Sequence, residues 1–233
     1  DWTTYLITKH DSSIMIEYLS YHISEDTPLY GNSKGIIISA DKQIKEGDSC
    51  NTLNLQFSNH TGTHIDFPHH FDASGKTIND YNAEFWQFDN VEVIDLSGKI
   101  NDSEIIDTKY FEKLTNKTID LLLVKTGYGK FRSTKKYTIT PPGISSKLAP
   151  FFRKKFPNLR CIGMDLISIS SYANREEGRK AHHAFLNSNE GSPILLLEDM
   201  KLDSTGPFSH VIIAPLLLDK ADGAPCTVFG FKK

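Results

Sequence analysis

The sequence lacks the hallmarks of several protein classes. Its 233 residues include only three cysteines, Cys50, Cys161 and Cys226, which are widely spaced and odd in number. They form neither a disulfide framework nor a CxxC metal site, so we expect reduced, packed thiols. The longest nearly apolar run, residues 211–218, is far shorter than the ~20 residues that a membrane-spanning helix needs, and Pro215 interrupts it. We therefore expect no association with a membrane.

An excess of charge of one sign is missing as well. The chain has 26 basic and 29 acidic residues and a formal net charge of −3, so no global field would hold a polyanion such as nucleic acid. No internal repeat or linker-like stretch divides the chain. With 39% hydrophobic and 24% charged residues, the composition is that of a globular protein. We predict one domain over residues 1–233 and a location in the cytoplasm.

Short β-rich segments outnumber the helical patterns. The predicted strands are 14–19, 35–39, 53–57, 91–96, 119–126, 160–169, 194–197, 211–218 and 226–231. Helices are predicted after Asp107, after Ser146 with Pro150 in the first turn, and over residues 173–186. The pattern predicts the α/β class with a mixed, strand-rich sheet, and α+β is the alternative.

Histidine is the informative residue, because four of the nine histidines fall within residues 60–70. Imidazoles beside a carboxylate suit Zn²⁺, Mn²⁺ or Fe²⁺. If the segment were a helix, Asp66 would lie about 200° around the axis from His64, and the two could not share an ion with His60. In an extended chain the even-numbered positions, His70 included, project to one side, and a bend at Gly62 brings the first of them close.

We therefore expect a bent, partly extended segment in which His60, His64 and Asp66 bind one metal ion. His70 should lie near them without binding the ion. Pro68 is expected to keep the segment out of a central position in the sheet. Three protein ligands leave an open coordination position, which is typical of a catalytic ion.

A second pair of histidines offers further ligands. His182 shares a helical face with Phe185, whereas His183 lies ~100° away, so His182 is favoured over His183 as the inward-facing ligand. Glu198 directly follows an apolar strand, where a carboxylate is rarely left unpaired. Since Asp66 has two oxygens, it can bridge to a second ion held by His182 and Glu198. We expect one or two divalent ions, with Zn²⁺ preferred and Mn²⁺ as the alternative.

Residues 60–70 read HTGTHIDFPHH and match the pattern HxGTHxDxPxH. With further matches at residues 125–128, 163–165, 182–186 and 223–225, the sequence resembles the cyclase family of metal-dependent hydrolases, which includes bacterial kynurenine formamidase and isatin hydrolase. The resemblance implies a swivelling β/β/α-type fold and a homodimer whose subunits help close each other's sites. It also implies the ligand sets His60, His64, Asp66 and Asp66, His182, Glu198, with His70 as the acid/base.

The function implied is hydrolysis of an amide, lactam or ester bond of a small carbonyl compound by a metal-activated water. Kynurenine formamidase (arylformamidase) activity is the first expectation, and lactam opening of the isatin hydrolase kind is the nearest alternative. A non-catalytic protein that binds a metal or metabolite is the alternative from another class. An aromatic substrate calls for aromatic walls, and the candidates near the motif are Phe67, Trp86 and Tyr30.

Overall fold

The computed structural model describes residues 15–31, 35–187, 189, 191–203 and 206–232. In chain order the strands are β1 (Met15–Tyr18), β2 (Ile37–Lys42), β3 (Thr52–Gln56), β4 (His64–Asp66), β5 (Gln87–Phe88), β6 (Val91–Asp95), β7 (Ile105–Ile106), β8 (Leu121–Lys125), β9 (Gly143–Ile144), β10 (Cys161–Met164), β11 (Leu195–Glu198), β12 (His210–Pro215) and β13 (Gly223–Lys232). The α-helices are α1 (Lys135–Ile139), α2 (Leu148–Lys155) and α3 (Arg175–Leu186).

Nine of the described strands form one mixed sheet in the order β5-β12-β13-β4-β11-β10-β8-β6, and β1 also pairs with β13. The strands β6, β8, β10 and β11 run parallel to one another. The strands β4, β13, β12 and β5 continue the sheet with antiparallel pairs. The predicted α/β class with a mixed, strand-rich sheet is confirmed. The assignment of residues 1–233 to one domain stays a prediction.

The parallel strands form the centre of the hydrophobic core. β8 and β11 both begin with uninterrupted apolar runs, which are typical of strands that are covered on both faces. The first three residues of each strand are at most 1% exposed. The helix α3 packs against β11, and α2 packs against α3 through the Phe152 and Phe185 rings. This packing fixes α3 beside the carboxyl end of β11, where Glu198 stands.

A two-stranded antiparallel sheet of β2 and β3 lies outside the main sheet. Every residue of β3 is exposed, among them Leu53 at 62% and Leu55 at 59%. These two leucines share one face of the strand, because side chains alternate along it. The hairpin therefore exposes an apolar surface that the core leaves uncovered.

Most of the predicted helices and strands are confirmed, but the helix after Asp107 and the burial of Cys50 are not. The helix predicted after Asp107 is a single 3-10 turn, Thr108–Tyr110. Soon after this turn the Asn116 side chain accepts hydrogen bonds from the backbone N–H and hydroxyl of Thr118, a local turn that competes with helix. Of the three cysteines, Cys161 and Cys226 are buried, but Cys50 is exposed, because it lies in the loop before β3. All three thiols are free.

No helix in the described part of the chain combines the length and the apolar character needed to cross a membrane.

Candidate active site

The strand β4 lies at the centre of the main sheet, between β11 and β13. Its register places Glu198 of β11 opposite His64. The expectation that Pro68 keeps this segment from a central position is wrong. The strand ends at Asp66, and Pro68 begins a 3-10 turn, so its missing N–H removes no bond from the ladder. The pairing of β4 with β11 therefore brings the carboxylates of Asp66 and Glu198 to the same place.

The bend predicted at Gly62 is present, with φ at +66°. The Gly62 carbonyl accepts a hydrogen bond from Nδ1 of His64 at 2.8 Å, which fixes the ring. The other ring nitrogen, Nε2, then lies 3.5 Å from Oδ1 of Asp66 and 3.4 Å from Oε2 of Glu198. The backbone thus aims the free nitrogen of His64 at the two acids.

The bend also brings His60 to the same carboxylate. Its Nδ1 lies 2.9 Å from Oδ1 of Asp66, and its Nε2 lies 2.9 Å from Oδ2 of Asp222. Gly223 allows this approach, since a Cβ at that position would collide with the His60 ring. His60, His64 and Asp66 are therefore brought together as the sequence predicts, and their possible ligand atoms lie within 4.8 Å of one another.

The helix α3 supplies a further candidate ligand, His182. Nδ1 of His182 donates to the Gly178 carbonyl at 2.8 Å, and Nε2 lies 3.7 Å from Oδ2 of Asp66 and 3.8 Å from Oε1 of Glu198. His183 is exposed, so of the two histidines the structure places His182 at the site. Each oxygen of Asp66 faces a different set of imidazoles, an arrangement that suits a bridging carboxylate.

Glu198 is held by the loop that follows β10. Its Oε1 accepts hydrogen bonds from the backbone N–H of Ile169 at 2.7 Å and from the hydroxyl of Ser168 at 3.2 Å. The side chain is only 3% exposed. These donors hold one oxygen in place and leave Oε2 facing His64.

His70 lies beside this cluster, on the turn after β4. Its Nδ1 is 2.8 Å from Oδ2 of Asp222, and its ring lies 4.1 Å from that of His60, centroid to centroid. A ring nitrogen of His70 also lies within 4.8 Å of possible ligand atoms of Asp66 and His182. The structure thus places His70 near the ligand set. That it binds no ion stays a prediction.

Asp222 is a site residue that sequence reasoning missed. Its Oδ2 contacts both His60 and His70, while its Oδ1 accepts a hydrogen bond from the side-chain amide of Asn59 at 2.8 Å. Only the pairing of β13 with β4 brings it there from the far end of the chain. The signal available in the sequence was an acid immediately before a strand that opens with Gly223.

The charges of the cluster are strongly coupled. Burial disfavours a charged His60, but hydrogen bonds to Asp222 and Asp66 outweigh this and raise its pKa to about 10. Burial likewise disfavours a charged Asp66, yet the hydrogen bond from His60 and the charge of His64 bring the pKa of that carboxyl well below its usual value. The hydrogen bonds of His60 and His70 lower the pKa of Asp222 in the same way. The carboxylates of Asp66 and Asp222 therefore stay ionised, and their negative charge favours a cation beside them.

Asp199, the residue after Glu198, anchors the end of β11. It adopts a positive φ of +51°. Its carboxylate accepts bonds from Arg132 at 2.7 and 2.8 Å and from the Tyr137 hydroxyl at 2.6 Å, and its carbonyl accepts from the Thr63 hydroxyl at 2.6 Å. These bonds tie β11 to the residue before His64.

A cavity of about 570 Å³ opens onto the cluster, a size typical of small-molecule sites. The six residues His60, His64, Asp66, His70, His182 and Glu198 all line it. Tyr30 lines it as predicted, and Phe71 stacks on the His182 ring at 4.4 Å. The arrangement can hold a divalent ion and a small substrate with a histidine beside both.

Phe67 and Trp86 are not in this cavity, so two of the three predicted wall residues are corrected. Phe67 is 0% exposed and packs against Tyr81 and Trp86 in the core. It follows Asp66 by one residue in an extended segment, so its side chain points to the opposite face of the sheet. Phe67 thus serves packing rather than substrate contact, and Trp86 packs with it.

Comparisons with known sequences show the family of the chain. A family model described as putative cyclase matches residues 18–171. A kynurenine formamidase from Bacillus cereus (strain ATCC 10987 / NRS 248) is 33% identical over 183 residues, which cover 78% of this chain and 80% of that protein. The chain belongs to the cyclase family. A kynurenine formamidase from Geobacillus thermodenitrificans (strain NG80-2) is 32% identical over 215 residues, 89% of this chain and 92% of that protein.

Solved structures show the same cyclase-family fold. Isatin hydrolase A from Labrenzia aggregata, bound to benzyl benzoate, aligns with a TM-score of 0.80 at 20% identity, covering 95% of this chain and 94% of that one. Isatin hydrolase A from Ralstonia solanacearum aligns with a TM-score of 0.78 at 16% identity, covering 94% and 92%. The resemblance predicted from residues 60–70 is therefore confirmed for the family and for its fold.

Proposed function

We propose that this chain is a kynurenine formamidase, which hydrolyses the formamide of an N-formylated arylamine to formate and the free amine. The broader class, a hydrolase of carbon–nitrogen bonds, is confirmed by its cyclase-family relatives. The observation that carries the proposal is the Asp66 carboxylate, which faces two sets of imidazoles at the base of a cavity, with His70 beside it.

The donor set fits a divalent cation. Asp66 and Glu198 are 1% and 3% exposed, and within the described ranges no lysine or arginine forms an ion pair with either. Buried carboxylates balanced only by imidazoles are typical of metal sites. We propose that His60, His64 and Asp66 hold one ion, and that Asp66, His182 and Glu198 hold a second where two bind. Zn²⁺ is our choice and Mn²⁺ the alternative.

A bound ion of this kind lowers the pKa of its water to about 7 and polarises a carbonyl oxygen. The proton transfer depends on the protein's own residues. Asp222 holds Nδ1 of His70, which leaves Nε2 to exchange protons. We assign to Nε2 the delivery of a proton to the leaving nitrogen as the carbon–nitrogen bond breaks.

Assays of the metal-loaded protein test the activity. We expect hydrolysis of N-formylkynurenine, followed by its absorbance, with a larger kcat/KM than for isatin. Faster opening of isatin would replace the proposal with a lactam hydrolase. Bound metal without turnover of either compound would favour the non-catalytic alternative.

Replacing Asp222 with asparagine is expected to lower metal affinity or kcat by about 10–100-fold, because the carboxylate orients both His60 and His70. Metal titration and steady-state kinetics measure the two effects, and the pH profile of kcat should shift as well. Asp219→Asn is the matched control, since Asp219 is an exposed acid of the same loop that contacts Asn79. Equal behaviour of the two variants would remove Asp222 from the site.

We also propose that the chain forms a homodimer in the cytoplasm. The exposed apolar face of the β2–β3 hairpin is the kind of surface that an interface covers, and free thiols are typical of a reducing compartment. Light scattering tests whether the chain forms a homodimer. A mass of one chain, 26.2 kDa, at micromolar concentration would contradict it.

A further inference from the structure

Two arginines stand at the cavity that holds the candidate metal ligands. Arg175 and Arg179 lie on α3, about two turns and one turn before His182, respectively. Their spacing, i, i+4 and i+7, puts all three side chains on one face of the helix. All three line the same cavity. One helix therefore presents a metal-ligating imidazole and two guanidinium groups to a single bound molecule.

Neither guanidinium is neutralised by an acid. Among the residues that the structure describes, no carboxylate lies within ion-pair distance of Arg175 or Arg179, and the two glutamates of the first turn are engaged elsewhere. Glu176 pairs with Lys180 at 2.7 Å, and Glu177 accepts from the backbone N–H of Ser146 at 2.7 Å. Arg175 is also the first residue of α3, where the helix dipole disfavours a cation. Within the described part of the chain, the positive charge of Arg175 therefore has no acidic partner.

The guanidinium of Arg175 is held in place. Its Cζ lies 4.3 Å from the centre of the Tyr172 ring, which in turn contacts the Tyr30 ring edge-to-face at 6.4 Å. The guanidinium also hydrogen-bonds the Tyr30 side chain, but its five N–H donors leave others that can pair with a planar anion. The cavity thus combines aromatic walls, Tyr30 and Phe71, with a preorganised cationic group.

We propose that Arg175 and Arg179 are specificity-determining residues, which bind the carboxylate that a substrate such as N-formylkynurenine carries away from its scissile bond. The inference rests on the proposed function and deepens it. Arginine pairs with carboxylates through two parallel N–H bonds, which give orientation as well as affinity. The subsite therefore selects an amino-acid-bearing arylformamide over a neutral one.

Two substrates that differ only in this group test the subsite. N-formylkynurenine carries the carboxylate, and 2′-formamidoacetophenone has the same formamide and aryl ketone without the amino acid. We expect the ratio of their kcat/KM values to fall by about 10- to 100-fold in the Arg175→Gln, Arg179→Gln double variant, mainly through KM for N-formylkynurenine. The Lys180→Gln variant is the control, because it removes an exposed cation of the same helix that does not line the cavity.

A matched double variant to lysine should restore only part of the ratio, since an ammonium keeps the charge but not the paired geometry. An unchanged ratio in the glutamine variant would overturn the subsite while the proposed function stands. If the wild type hydrolyses neither substrate, the proposed function fails, and calorimetry of kynurenine against 2-aminoacetophenone decides the subsite. Tighter binding of kynurenine that the double variant loses supports it, and equal binding of the two compounds overturns it.

Discussion

Replacing His70 with alanine lowers kcat for N-formylkynurenine by about 10²–10⁴-fold and leaves the metal content at the wild-type level. The loss is expected because the leaving nitrogen needs a proton, and Nε2 of His70 is the nitrogen that Asp222 leaves free. The bond to Asp222 also fixes the orientation of the imidazole, which this transfer requires. Steady-state kinetics and elemental analysis of the same preparations measure both quantities.

His69→Ala is the control for this variant. His69 is the preceding residue, and its side chain is exposed. Loss of metal from the His70 variant would make His70 a ligand rather than a proton carrier. Undiminished turnover would remove it from the mechanism altogether.

The Asp66→Asn variant is expected to lose both ions and all measurable turnover. Asp66 directs one oxygen to His60 and His64 and the other to His182, so an amide weakens both ligand sets. We expect metal affinity to fall by more than the roughly 10–100-fold that losing an outer-shell partner costs. The fold should persist, because the variant removes a buried charge rather than packing.

Thermal unfolding with and without Zn²⁺ checks this second prediction. A ligand at 100 times its Kd adds about 2.7 kcal/mol to the free energy of unfolding, so the wild-type Tm should rise with Zn²⁺ and that of the variant should not. Asp219→Asn should respond like the wild type. A variant that is stabilised by zinc as strongly as the wild type would show that Asp66 is no ligand.

The local part of the site was predictable from the sequence. The parity of His60, His64 and Asp66, with a glycine between the histidines, is enough to predict their convergence, and the helical face of His182 predicts its inward direction. The apolar runs of β8 and β11 predict buried strands. Each of these inferences needs only neighbours in the chain and the geometry of one element.

The features that the sequence does not predict depend mainly on pairing between segments that are distant in the chain. Asp222 reaches His60 and His70 only because β13 pairs with β4, and no spacing rule links positions so far apart. The central place of β4 does not follow from the sequence, because Pro68 argues against a ladder strand unless it is known to begin a turn. Closeness to the motif in sequence favours Phe67 and Trp86 as wall residues, but strand parity directs Phe67 to the other face of the sheet.

The most direct test is the number of metal ions that each chain retains. The protein is loaded with Zn²⁺, freed of excess metal by gel filtration and measured by elemental analysis beside its His64→Ala variant. We predict one or two ions per chain in the wild type and a clear loss in the variant. A wild type that retains no metal, or a variant that retains as much as the wild type, would contradict the assignment of this cluster as the active site.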